Sequence, residues 1–124
     1  MEPTRESNIS PIQVLLALGS NLGNREGHIR CALQGLSAKK GVYLVSVSDM
    51  FETEPIGPPQ PVYINAAALI ETTLTPNELL LFCKELELQA GRQPSERWGA
   101  RTLDIDIVLF GCLTIETLQL TIPH

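Results

Sequence analysis

Apolar positions switch between strand-like and helical spacing along the chain, and the switches outline a series of short elements. Residues 1–11 are polar and read as a disordered tail, after which Ile12 to Leu18 is almost wholly apolar and runs into Gly19-Ser20-Asn21-Leu22-Gly23-Asn24. A short apolar run closed by turn residues predicts a buried central strand. Ile29, Ala32, Leu33 and Leu36 then recur at helical spacing, predicting a helix over Arg25 to Leu36 with Asn24 as its cap. Val42 to Val47 is rich in β-branched residues and predicts a second strand, running on towards Phe51. Residues 52–61 include Pro55, Pro58, Pro59 and Pro61, which cannot donate to a ladder, so a long irregular loop is predicted.

Val62 to Thr72 predicts the third strand, and Thr75-Pro76-Asn77-Glu78 is a capping box with proline at the first helical position. The helix it opens continues through Leu79, Leu80, Cys83, Leu86 and Glu87 to about Ala90, and Gly91 ends it. A polar loop, residues 92–101, leads to the alternating segment Leu103 to Phe110, the fourth strand, and residues 113–120 can add a short strand or hairpin. The order β-α-β-β-α-β predicts an α+β, ferredoxin-like fold: an antiparallel sheet with both helices on one face. At 124 residues, 44% of them apolar, the chain has the size and core material of one domain.

Composition narrows the possible partners. A net charge of −5 argues against nucleic acids and anionic membranes held by a general positive field, so an anionic ligand requires a local basic cluster. No apolar run approaches membrane-spanning length, and the start of the chain lacks the features of a signal peptide, which predicts a cytoplasmic protein. Cys31, Cys83 and Cys112 fit no disulfide or zinc spacing and are expected to be buried, inert thiols.

The fold hosts many activities, so function has to come from side chains. In the last strand strict alternation puts Leu103, Ile105, Ile107 and Leu109 on one face and Asp104 and Asp106 on the other, about 7 Å apart. Paired carboxylates repel unless a cation joins them, and Mg²⁺ uses one or two carboxylates together with water and nucleotide phosphates. An isolated Asp-x-Asp is more often a solvated sheet face. Here Val108 and Phe110 continue the aspartates' face, which favours a metal site. Arg92, Arg97 and Arg101 lie just upstream and suit phosphate oxygens, although pairing with Glu87 and Glu96 is the competing reading. The Gly19 to Gly23 turn lacks the ending of a phosphate-binding Walker loop and reads as a structural turn.

The run Arg97-Trp98-Gly99-Ala100-Arg101-Thr102-Leu103-Asp104-Ile105-Asp106-Ile107-Val108 resembles the signature of the 6-hydroxymethyl-7,8-dihydropterin pyrophosphokinase family. Leu18 to Gly23, Thr53 to Gly57, Tyr63 to Ala67 and Glu87 to Arg92 resemble further family segments, in order, from Ile12 to His124. The resemblance implies transfer of pyrophosphate from ATP to 6-hydroxymethyl-7,8-dihydropterin, releasing AMP, in folate biosynthesis. It implies two Mg²⁺ ions on Asp104 and Asp106, with Arg92 and Arg101 on the phosphates. Tyr63 and Asn65 would hold the pterin together with Thr53, Pro55, Ile56, Trp98 and Asp104. Leu80, Glu87, Arg92, Arg101, Ile107, Leu120, Thr121 and His124 would surround ATP. A monomer or weak homodimer is expected.

The sequence departs from the family pattern in two places. Gln93-Pro94 stands where some members carry another arginine. Members also continue past the histidine matching His124 with a tyrosine, a basic residue and an aromatic covering the other pterin face. A shortened form, binding Mg-ATP but holding pterin weakly, is therefore expected. The alternatives are a non-catalytic ferredoxin-like ligand-binding module and, against the charge, an RNA binder on the open sheet face.

Overall fold

The structure, a computed structural model, describes residues 10–92, 100–117 and 120–124. The expected disordered tail falls almost wholly on residues 1–9, which lie outside the described residues, as do Gln93, Pro94, Glu96, Arg97 and Trp98. Strand β1 is Ile12–Ser20, helix α1 Arg25–Ala38, β2 Val42–Val47, β3 Phe51–Thr53, β4 Tyr63–Thr72, helix α2 Pro76–Gln89 and β5 Asp104–Phe110, followed by β6 Ile115–Glu116 and β7 Thr121–Ile122. The sheet order is β2-β4-β1-β5, with β3 also pairing with β4, and each pairing is antiparallel. Strands one, two, three and four of the sequence reading thus take the ferredoxin-like arrangement, with β1 central.

Both helices form where their caps place them. Asn24 Oδ1 accepts from the Gly27 amide at 3.1 Å, and in the Thr75–Glu78 box each side chain bonds the other residue's amide, at 3.1 and 2.8 Å. Ile29, Ala32 and Leu36 of α1 and Leu79, Cys83 and Leu86 of α2 are buried. Val14, Leu16 and Leu18 of β1 and Ile64, Ala66, Ala68 and Ile70 of β4 are buried too. Burying a side chain of Leu, Ile or Val size contributes about 1.5–3 kcal/mol, which makes this layer the main source of stability. Strand residues at the alternate positions point away from the helices and form the open face.

The structure corrects several expectations. β1 runs two residues beyond Leu18, because Gly19 and Ser20 still pair with Asn65 and Ile64. The predicted loop begins later than expected, since Phe51–Thr53 pairs with Asn65, Ile64 and Tyr63 before the prolines break the ladder. Most consequential is a bulge in β5. Leu16 faces Ile107 and Leu15 faces Leu109, so Val108 is the extra residue. Strict alternation had put Leu109 in the core and Phe110 beside the aspartates; the bulge reverses both, leaving Leu109 43% exposed and Phe110 1% exposed in the core. The expected hairpin at 113–120 is β6 paired with β7, and it extends to Ile122. Of the cysteines only Cys83 is buried; Cys31 and Cys112 are exposed, because each falls off the apolar stripe of its surroundings.

Candidate active site

Register assembles the site on the open face. Gly19 sits between Asn65 of β4 and Asp104 of β5, and two residues along, Ala17 sits between Ala67 and Asp106. Directly paired residues share a face, so Asn65 and Asp104 flank a strip that carries only Gly19 and Ala17. Tyr63 follows on the same side of β4. Gly19 keeps this strip open: a Cβ there would stand 3.1 Å from Asn65 Oδ1 and 3.3 Å from Tyr63 Cδ1, pressing on both side chains. The resulting pocket has a volume of about 240 Å³, with Gly19 and Ala17 in its floor, Tyr63 and Asn65 on one side, Arg101, Asp104 and Asp106 on another, and Glu54, Pro55 and Ile56 along the rim. Thr53 acts one step back: its hydroxyl accepts from Asn65 Nδ2 at 2.7 Å and so turns the amide.

Arg92 is delivered by the end of α2. Gly91 adopts φ +83°, its amide donates to the Leu88 carbonyl at 2.9 Å, and the Arg92 amide donates to the Glu87 carbonyl at 3.1 Å. This Schellman closure turns the chain back across the last turn of the helix. Arg92 Nη1 then lies 2.8 Å from Glu87 Oε1 and 3.0 Å from Asp104 Oδ1. Arg101 Nη1 approaches Asp104 Oδ2 at 3.7 Å. Glu87 is buried, with Oε2 accepting from the Ile105 amide at 2.8 Å, so it ties α2 to the start of β5. Burial pushes the Glu87 carboxyl above its usual range, opposed by that amide and by Arg92. Burial also raises Tyr63.

Asp106 is raised as well, first by burial and then by the charge of Asp104. His124 Nε2 stands 3.4 Å from Asp106 Oδ1, held there because the His124 amide donates to the Val108 carbonyl at 3.0 Å. Of the basic cluster anticipated from sequence, Arg92 and Arg101 both engage carboxylates, while Arg97 lies outside the described residues. Among the described residues the carboxylates of Asp104, Asp106 and Glu87 outnumber the guanidinium groups of Arg92 and Arg101.

That surplus is what a divalent cation would neutralise. Among the described residues no group of three or more His, Cys, Asp or Glu side chains could hold a metal by itself. Two carboxylates on an open face instead match Mg²⁺, which takes its remaining ligands from water and phosphate. Of the other residues expected around ATP, Ile107 and Leu120 are buried in the core, Leu80 packs against it, and Thr121 is exposed on β7. The sequence reading gave no role to Asn21, which is fully buried and bonds Arg101, Gln60 and Pro61. Its signal, an asparagine in the turn straight after a buried strand, is indistinguishable locally from an ordinary turn residue. No helix among the described residues is long and apolar enough to cross a membrane.

A family model described as 7,8-dihydro-6-hydroxymethylpterin-pyrophosphokinase (HPPK) matches residues 15–124. The 2-amino-4-hydroxy-6-hydroxymethyldihydropteridine pyrophosphokinase of Haemophilus influenzae is 43% identical over 114 residues, covering 91% of this chain and 71% of that protein. The protein of the same name from Bacillus subtilis is 44% identical over 110 residues, covering 88% of this chain and 66% of its own length. That of Pseudomonas putida is 37% identical over 113 residues, covering 91% and 94%. With the match running through β1, both helices and the aspartate strand, the chain belongs to the 7,8-dihydro-6-hydroxymethylpterin-pyrophosphokinase family.

Proposed function

We propose that this chain, an ATP-dependent pyrophosphokinase of folate biosynthesis by its family, transfers pyrophosphate from ATP to 6-hydroxymethyl-7,8-dihydropterin on the open sheet face. The observation that carries this reading is the row Asn65–Gly19–Asp104, in which a recognition amide and a carboxylate flank a floor bare of side chains. Such a floor suits a flat heterocycle. Asn65, its Nδ2 engaged by Thr53, offers Oδ1 to the N–H groups of a pterin edge, and Tyr63 lies against the ring. Pro55 and Ile56 close the rim.

Asp104 and Asp106 would hold magnesium, two ions in the fuller form of the proposal. When bound, magnesium neutralises phosphate charge and makes the substrate hydroxyl easier to deprotonate. Arg101 meets the phosphates and offsets the charge that develops during transfer. Arg92 does the same while also orienting Asp104. The site lacks a nucleophile with an adjacent base among the described residues, and in-line transfer needs none: positioning and charge neutralisation suffice.

The test is AMP release from ATP and pterin at saturating Mg²⁺ by Asp104→Ala and Asp106→Ala. Each should lose activity by about 10²–10³-fold, the scale set by removing one preorganised charge-stabilising group, with an unchanged circular dichroism spectrum. Near-parental turnover in both variants would remove the carboxylates from the mechanism.

A further inference from the structure

The two helices diverge on the side of the sheet away from the pocket. At Gly35 they meet so closely that a Cβ there would stand 2.6 Å from Leu86 Cδ2. From that crossing α1 runs back through Ala32 and Cys31 to His28, and α2 runs on through Gln89 to Ala90. Between them, beside Leu103, a cavity of about 310 Å³ opens. Each helix lines it with residues at i, i+3 and i+4, the spacing that shares one helix face. Small residues keep it open: Ala32 is buried and Ala90 half-buried, at positions where larger apolar side chains would close the seam.

The cavity backs onto the active site through sequence neighbours. Leu86 precedes Glu87, Leu103 precedes Asp104, and Gly91 alone separates Ala90 from Arg92. The ion pairs of Arg92 with Glu87 and Asp104, at 2.8 and 3.0 Å, are therefore carried by the segments that form the cavity wall. We propose that this cavity is a second ligand site, for a small neutral bicyclic aromatic molecule, and that its occupancy restrains Arg92. Size and lining select that class. The volume is about twice that of a roughly 150 Å³ apolar cavity that takes benzene, and it falls at the lower end of the range for small-molecule pockets. No Asp, Glu, Lys or Arg lines it, so a charged ligand would lose its hydration without gaining a partner. His28 and Gln89 offer hydrogen bonds beside an Ala and Leu interior, which suits a ring with one N–H edge.

The effect on Arg92 follows from packing, and this part rests on the function proposed above. A ring against Leu86, Ala90 and Leu103 braces the end of α2 on the start of β5. Arg92 has to loosen from Glu87 and Asp104 to meet phosphate, and bracing opposes that movement.

Indole is the probe, and Cys31, exposed at the cavity, reports occupancy whether or not the protein turns over. In Cys112→Ser, where Cys83 stays buried, indole should slow alkylation of Cys31 by iodoacetamide severalfold and saturably. It should also slow hydrogen exchange at the Arg92 and Ile105 amides, both of which bond Glu87, and leave β2 unchanged. Ala32→Leu fills the cavity and should abolish both effects; should it fail to fold, Ala90→Leu is read in its place. In steady state indole should lower kcat severalfold and leave the pterin KM unaltered. Unprotected Cys31 overturns the proposal, as does protection that survives in a folded filling variant. Competition with pterin places indole in the substrate pocket and overturns it too. An inactive parent counts against the function proposed above, and slower alkylation together with slower exchange then still upholds the second site.

Discussion

Arg92 and Arg101 both reach Asp104, but they are held differently, and their replacements should part company. Arg92 also pairs with Glu87, whose side chain is only 6% exposed, so Arg92→Ala leaves a buried carboxylate short of a partner and should cost about 1–3 kcal/mol of stability. Arg101 approaches Asp104, whose side chain is 25% exposed, so Arg101→Ala leaves that carboxylate open to water. Both should lower kcat, since the charge they offset is greatest in the transition state, whereas Asn65→Ala should act mainly on the pterin KM. Urea melts run beside steady-state kinetics check this, and equal stability losses in the two arginine variants would contradict the Glu87 assignment. The thiols divide just as sharply. Burial pushes the Cys83 thiol up to about 12, so at pH 8 it stays protonated and shielded, while Cys31 and Cys112 are exposed. Iodoacetamide at pH 8 should add to two thiols in the native protein and to the third only in denaturant, as read by intact mass. The raised value also means that the folded state loses stability as pH climbs from the unfolded thiol range towards 12, because only the unfolded chain ionises freely there.

Among the elements, β5 does the most to shape the molecule. Its bulge at Val108 lets one strand present the aspartates to the open face at one end and bury Phe110 under the helices at the other. Without the extra residue a period of two could not serve both ends. Phe110→Ala should therefore cost about 3–5 kcal/mol, and Leu109→Ala should stay within about 0.5 kcal/mol as a surface change. Thermal or urea denaturation of the pair measures this. The reverse ranking would restore strict alternation. The end of α2 shows the same economy of sequence, since the glycine that stops the helix also aims Arg92 at Glu87 and Asp104.

Across the whole molecule the sheet separates two tasks. Helices and core occupy one face, which leaves the other free for small residues and charges that a core could not tolerate. Substrate binding should then add stability without reorganising the core. In the presence of Mg²⁺, a non-hydrolysable ATP analogue at 100 times its Kd should stabilise the protein by about 2.7 kcal/mol, visible as a higher melting temperature. EDTA should abolish the shift, and so should Asp104→Ala. A shift that persists in EDTA would show nucleotide binding without the carboxylate-bound metal.

Much of this was already legible along the chain. Helix caps, apolar periodicity and β-branched runs act over a few residues, so both helices, the four main strands and their ferredoxin-like order followed from local pattern. The pair Asp104 and Asp106 and the nearby arginines stood out in the same way, by alternation and local clustering, whereas Tyr63 and Asn65 read locally as ordinary strand residues and were marked only by the resemblance to the family. What depended on a partner distant in sequence was decided only in three dimensions. Val108 is a bulge because of how β1 pairs, and Phe110 changes sides with it. Gly19 is a pocket floor only because Asn65 and Tyr63 lie beside it. The arginines turned out to be partly engaged by Glu87 and Asp104, so the charge balance at the site is set by contacts that no spacing reveals. Asn21 is the extreme case, an ordinary turn residue by sequence whose partners lie 39, 40 and 80 positions away. Local propensity selects the elements, but strand register and the satisfaction of buried polar groups are properties of the closed sheet, and those decide where the site residues meet.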